Sequence, residues 1–242
     1  MSHEKWNITL RISRQKGSEA RSYQGYSIEA DPDEYVLDTV ERVWAFMDRS
    51  LCFRHACHHS TCGACGMLVN GVEKLTCITL VRSVVHDGGT LVVEPLRNFP
   101  VISDLVVDMS SFYTRMDDVK APQVAQLNSA CLPFERKTHG GSANFERLVD
   151  CIECGLCISA CPAALTSSEY LGPAVLAAAQ HVSSDPILDQ VDNQNGPWRC
   201  HSAFECTAVC PSNVNPGWRI MDLRKKIIRR RVKKLFHRNP QG

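Results

Sequence analysis

Apolar and polar residues alternate from Trp6 to Ile12, the period of a strand with one covered face, and Tyr26 to Ala30 alternates as its expected partner. Between Val36 and Met47 the period changes, and Val36, Leu37, Val40, Val43, Trp44 and Met47 fall on one side of a helix. From Leu51 to Ala64 no period survives. His, Ser, Cys and Gly dominate there, which predicts a loop. Met67-Leu68-Val69-Asn70-Gly71-Val72 then reads as a hairpin about an Asn-Gly turn, and Leu91 to Val93 closes the unit as a strand. Two strands, helix, loop, hairpin and strand predict a small α+β, β-grasp-like domain over residues 1–104.

The stretch 96–110, PLRNFPVISDLVVDM, carries two prolines and an apolar run, and reads as a crossover between domains. From about residue 105 onward the periodicity is helical, which assigns 105–242 to an all-α domain. Leu148–Cys161, Leu171–His181 and Pro216–Phe236 are the expected helices, with Gly172-Pro173 marking a start. Residues 151–162 and 200–211 resemble one another, and both end in Cys-Pro, as a duplicated unit would.

Composition narrows the class. Of 242 residues, 44% are apolar and 22% charged, enough to build cores and too apolar for a disordered chain. The opening MSHEKWNITLRIS has neither the apolar segment of a secretory leader nor the Arg and Ser of a transit peptide. The longest apolar stretch, around Ala174–Ala179, is far short of the roughly 18 residues that span a bilayer. A soluble or peripheral protein in a reducing compartment is expected, so the thirteen cysteines read as metal ligands rather than disulfides. The net charge of +1 hides an asymmetry: residues 219–242 hold ten Lys or Arg against Asp222 alone, leaving an acidic body.

Eleven of the cysteines fall into three sets. Cys57-x4-Cys62-x2-Cys65 with Cys77 has the plant-type spacing for a 2Fe-2S cluster, and Cys151-x2-Cys154-x2-Cys157-x3-Cys161-Pro162 is the bacterial ferredoxin run for 4Fe-4S. The third set, Cys200-x5-Cys206-x3-Cys210-Pro211, repeats the second with Ala203 where the second cysteine belongs. A site short of one thiolate most simply holds three irons, as 3Fe-4S. The cysteine before each proline ligates the neighbouring cluster, so Cys151, Cys154 and Cys157 take Cys210, while Cys200 and Cys206 take Cys161. Zinc sites pair two short Cys hairpins, unlike a three-plus-one set in a Gly-rich loop. His55, His58 and His59 lie among the first ligands, but four thiols complete that count, so they read as surface or hydrogen-bonding residues. Cys52 and Cys131 lie off the ligand spacing and read as idle thiols.

In this order, FRHACHHSTCGACGMLVNG, PVISDLVVDM, CIECGLCISACP and RCHSAFECTAVCP resemble the iron-sulfur subunits of succinate dehydrogenase and fumarate reductase over about residues 6–235. The resemblance implies electron relay from an FAD flavoprotein that oxidises succinate, through the three clusters, to a quinone held against a membrane anchor that contains haem b. It implies that the chain is peripheral on the cytoplasmic face of a bacterial inner membrane, and that fumarate reduction, quinol- or thiol-linked, is the reverse use of the same parts. Pro162 and His201 match the family's quinone surroundings, where His201 either borders the quinone or hydrogen-bonds a cluster sulfur or solvent. Thr166 departs from the tryptophan many members carry, and Ala203 from a bulkier apolar residue. A free ferredoxin-like carrier is the competing reading.

No acid, base or nucleophile set suited to dicarboxylate chemistry is present, which leaves that step to a partner. The tail carries Ile220, Leu223, Ile227, Ile228, Val232, Leu235 and Phe236 on one helical face and cations elsewhere. It is either a core helix with a solvated charge run or a helix resting at a membrane surface. No nucleic-acid recognition motif accompanies the charge.

Overall fold

The computed structural model describes residues 5–129 and 151–236, with side chains for 5–119 and 151–236. Among these residues two compact units form. The first takes everything up to Met109 together with Ile152–Ala160, and the second takes the remainder.

The first unit is built on a five-stranded sheet of order β2-β1-β5-β3-β4. Strands β1 (Trp6–Arg14) and β2 (Ser22–Ala30) pair antiparallel, and β5 (Thr90–Glu94) lies parallel to β1. Helix α1 (Val36–Phe46) covers one face: its Val36, Val40 and Val43 meet Ile8, Leu10 and Ile12 of β1 in one core. Asp38 Oδ2 accepts the Tyr35 N–H at 3.0 Å, which satisfies a donor at the start of α1 and places an anion at its positive end. The expected hairpin is present as β3 (Gly66–Val69) and β4 (Val72–Leu75), with Asn70 and Gly71 both at positive φ, as the tight turn requires. The Asn70 side chain also donates to Val84 O at 2.7 Å and accepts from Val92 N at 2.8 Å, fastening the turn to β5.

The 96–110 stretch differs from its expected helical continuation. Val101–Ser103 (β6) and Val106–Val107 (β7) form a small antiparallel ribbon, and α2 (Ser110–Ser129) begins only afterwards. β-branched valines and Asp104 at positive φ favour the ribbon over a helix. Asp104 has a further role. It accepts from Arg14 Nε at 3.0 Å, Gln15 N at 3.2 Å and Cys52 N at 2.9 Å, tying the ribbon and the start of the cysteine loop to β1.

The second unit is helical. Its frame is α5 (Pro173–Val182) against α8 (Pro216–Phe236) and α2. Pro173 opens α5 as expected, and the apolar run Ala174–Ala179 is buried. Short helices α4 (Pro162–Thr166), α6 (Asp185–Val191) and α7 (Glu205–Ala208) complete it. In place of the expected helix 148–161, residues 151–155 are irregular and α3 (Leu156–Ser159) is a single turn in the first unit; residues 148–150 lie outside the described residues. Positive φ at Glu153 and Gly155 interrupts the helix, so the apolar period there marks burial rather than a continuous helix. No helix among the described residues is long and apolar enough to cross a membrane.

Candidate metal centres

The loop after α1 and a 3-10 turn, Thr76–Ile78, gather the first four cysteines, with Cys77 just past β4. Cys65 and Cys77 are buried, Cys57 is half-buried and Cys62 is exposed. His58, Ser60 and Gly63 have positive φ, which curls the loop so that its amides reach sulfur. His59, Thr61 and Cys62 N–H groups donate to Cys57 Sγ at 3.5, 3.3 and 3.3 Å, and Ser60 N–H donates to Cys77 Sγ at 3.4 Å. These amides, His59 foremost, lower the Cys57 thiol to about 6. Burial, then the adjacent Cys65 thiol, pushes Cys77 up to about 11. A cationic metal centre relieves that burden, since thiolates are what it binds.

Cys154 and Cys157 belong to the first unit, where Gly63 is pressed against Cys154. A Cβ on Gly63 would stand 2.7 Å from Cys154 Cβ and 3.0 Å from Ile152 O, so the first and second cysteine loops touch at a position only glycine can occupy. Gly66 faces Cys154 O in the same way, at 3.3 Å. Cys151 and Cys210 belong to the second unit and pack on Ala177 and Val214; Val214 N–H donates to Cys210 Sγ at 3.3 Å.

Cys161, Cys200 and Cys206 line one pocket in the second unit, with Pro162, His201, Ala203 and Tyr170 among its walls. Burial, and then the nearby Cys161 and Cys200 thiols, pushes Cys206 up to about 12, and burial raises Cys161 as well. Ser202 N–H donates to Cys200 Sγ at 3.4 Å. Tyr170 is buried beside these sulfurs, and its hydroxyl has no aligned hydrogen bond. A buried phenol without a partner is costly, and a sulfide-bearing group among these thiols gives it an acceptor. Three converging thiols, Cys161 and Cys206 buried and Cys200 half-buried, and a donor without an aligned partner fit an iron-sulfur cluster.

The duplicated unit is visible in the backbone. Glu153 and Gly155 are left-handed two and four residues after Cys151, and Ser202 and Phe204 are left-handed at the same offsets from Cys200. The helical turns α3 and α7 then start at equal offsets. Ala203 therefore occupies the backbone position that Cys154 has in the first copy. Phe204 holds φ 62 with its ring packed at a tilt against Trp218, centroids 4.9 Å apart, and Gly217 leaves room for it.

Two family models match: a 2Fe-2S iron-sulfur cluster binding domain over residues 9–114 and a 4Fe-4S dicluster domain over 147–214. A fumarate reductase iron-sulfur subunit from Mycobacterium tuberculosis is 33% identical over 239 residues, covering 95% of this chain and 96% of the relative. The chain belongs to the family of succinate dehydrogenase and fumarate reductase iron-sulfur subunits. The mitochondrial succinate dehydrogenase [ubiquinone] iron-sulfur subunit 1 of Oryza sativa subsp. japonica is 31% identical, covering 81% of this chain and 72% of that one. In solved structures, a chain of the Mycobacterium smegmatis Sdh1 complex in the apo form shares the fold, with TM-score 0.76 at 24% identity over 94% of this chain and 98% of that one.

In this iron-sulfur subunit Pro162 and His201 both line the pocket of the third thiol set, with His201 exposed. Thr166 ends α4, its hydroxyl donating to Ala163 O at 2.9 Å, and the exposed Leu165 precedes it. Cys52 is exposed and serves through its backbone, while Cys131 lies outside the described residues. Sequence reading missed Tyr170 and the Gly63–Cys154 approach. Neither carries a motif, since each follows from how distant segments fold onto the thiols.

Proposed function

We propose that this chain carries electrons one at a time between an FAD flavoprotein acting on succinate or fumarate and a quinone held by a membrane anchor. Cys57, Cys62, Cys65 and Cys77 would hold 2Fe-2S, Cys151, Cys154, Cys157 and Cys210 would hold 4Fe-4S, and Cys161, Cys200 and Cys206 would hold 3Fe-4S. When bound, the clusters supply one-electron steps. The protein's part is to fix their separation, through the Gly63–Cys154 approach, and to direct amides at their sulfurs. The observation that carries the reading is Ala203 in Cys154's backbone position beside three thiols that line one pocket, Cys161 and Cys206 buried and Cys200 half-buried.

Several features support the partner assignments. The exposed side of the first loop, from His55 to Cys62, suits a flavoprotein contact. In the second unit, Leu165 and Trp218 leave apolar surface exposed on the elements that carry Pro162 and adjoin the His201 pocket, which suits an anchor and a quinone. With anchoring left to a partner, the reading has the chain peripheral, on the cytoplasmic face of a bacterial inner membrane. Direction is set by the flavin and quinone potentials, and the succinate-oxidising direction is tested by comparing succinate:quinone with quinol:fumarate rates in the intact complex.

Ala203→Cys tests the register. Supplying the fourth thiolate should convert the three-iron site to a four-iron one, so the paramagnetic signal of the oxidised three-iron centre disappears and its potential falls. An unchanged three-iron signal overturns the ligand assignment. A free carrier would purify without a flavoprotein partner, whereas the proposed subunit co-purifies with one.

A further inference from the structure

The first unit holds a second constellation of metal-ligand type, apart from the cysteines. Glu41 on α1 and His55 and His58 on the loop bring one atom each to a common point. His55 Nδ1 stands 2.9 Å from Glu41 Oε1, His58 Nε2 stands 3.3 Å from the same oxygen, and the two ring nitrogens are 3.2 Å apart. Three ligands held about 2.0–2.1 Å from one zinc-like ion, at angles between octahedral and tetrahedral, lie about 2.9–3.4 Å from each other.

Hydrogen bonding alone explains this triangle poorly. Glu41 Oε1 is inaccessible to solvent and accepts no aligned hydrogen bond, although both imidazoles are beside it. The nitrogen–nitrogen edge needs one lone pair to face a donor that the carboxylate also needs. A cation satisfies all three atoms together. The rings are also held in place: His55 stacks on Phe53 at 5.1 Å, Phe53 abuts Trp44 at 6.2 Å, and His58 meets His55 edge-on.

We propose that Glu41, His55 and His58 form a binding site for a divalent late transition cation such as zinc, with open positions left for water. Two imidazoles and one carboxylate are a borderline donor set suited to such ions and poorly suited to magnesium or calcium. His58 adjoins Cys57, so the net negative charge of a cluster on that loop favours a cation there. The bound ion links α1 to the loop and restrains it. The site is independent of which clusters the cysteines hold.

The test uses the assembled, cluster-loaded complex. Zinc is added in slight excess, the protein is desalted, and zinc and iron are counted by plasma emission. Wild type should retain one zinc more per chain than the His55→Ala/His58→Ala variant, with iron unchanged in both. Even outer partners of a metal ligand are worth roughly 10–100-fold in affinity, so Glu41→Gln, which preserves shape, should weaken zinc binding by at least that lower bound. Zinc-edge X-ray absorption should show only nitrogen and oxygen ligands near 2.0–2.1 Å. Equal zinc in wild type and the double variant overturns the proposal, and so does sulfur in the first coordination shell, which would mean zinc had entered a cysteine site.

Discussion

Tyr170 shows how much a single side chain contributes to a site with no motif of its own. Its hydroxyl is buried beside Cys161, Cys200 and Cys206, within reach of the Cys200 thiol but without an aligned hydrogen bond. Donation to a cluster sulfur stabilises the reduced, more negative state. Tyr170→Phe should therefore lower the midpoint potential of the third cluster in a redox titration followed by paramagnetic resonance, with iron content unchanged. Gly63 acts by lacking a side chain. Gly63→Ala forces Cys154 or the loop to move and strains φ +71, so it should destabilise the first unit by about 1 kcal/mol or more and slow reoxidation of the first cluster in rapid-mixing experiments. Asp48 governs the acid limit. Ser50, then Tyr26, then Arg14 hold its carboxyl well below the ordinary 3.8. Its stabilising contribution is complete above that ordinary value and is lost as pH falls below it. Melting temperatures from pH 5 down to pH 3 should fall less steeply in Asp48→Asn than in wild type.

Among elements, α8 divides in two. Ile220, Leu223 and Ile227 are buried, whereas Ile228, Val232, Leu235 and Phe236 on the same expected apolar face are exposed. The first half is thus a core helix, and the exposed apolar residues of the second half are where a membrane-surface contact would have to form. Leu223→Ala should cost about 2–5 kcal/mol in denaturant melts. A Leu235→Ser/Phe236→Ser pair should leave stability nearly unchanged but reduce retention on membranes bearing the anchor. The cations are less free than the sequence suggests. Arg230 grips Asp189 with two hydrogen bonds of 2.6 Å, Arg231 reaches Asp192 at 2.8 Å, and Arg224 donates to Pro197 O at 2.9 Å. Two further features were legible in advance. The Asn70-Gly71 turn was readable because its two residues demand positive φ, and the copies at 151 and 200 because ligand spacing repeats. The helix expected at 148–161 was not, because wrapping a chain around a metal centre interrupts the local period.

For the whole molecule, charge and metal content are the tests. The basic end is partly neutralised by carboxylates of α6 and the turn after it, so its attraction to an anionic surface rests on the cations left over. Among the described residues, Lys225, Arg229 and Lys233 have no carboxylate partner. Fully loaded protein should contain about nine iron atoms per chain from the three cluster types proposed. Each thiol set removed should take away its own spectroscopic signal. The segment from Ile152 to Ala160 joins the first unit although the matching stretch of its sequence copy, within 200–211, joins the second. Ser159 accounts for part of this: its hydroxyl donates to Glu73 at 2.8 Å and accepts from Arg97 N–H at 2.9 Å.

Linear order was enough to give the ferredoxin-type class, the hairpin and three sets of thiols, because strand period, turn chemistry and ligand spacing are local properties of the chain. The long-range assembly of Glu41 with His55 and His58, the burial of Tyr170 beside Cys200 and the passage of Cys154 against Gly63 depended on folding. Each joins residues that are far apart in the chain or lie on unrelated elements, and only packing sets the distance between them.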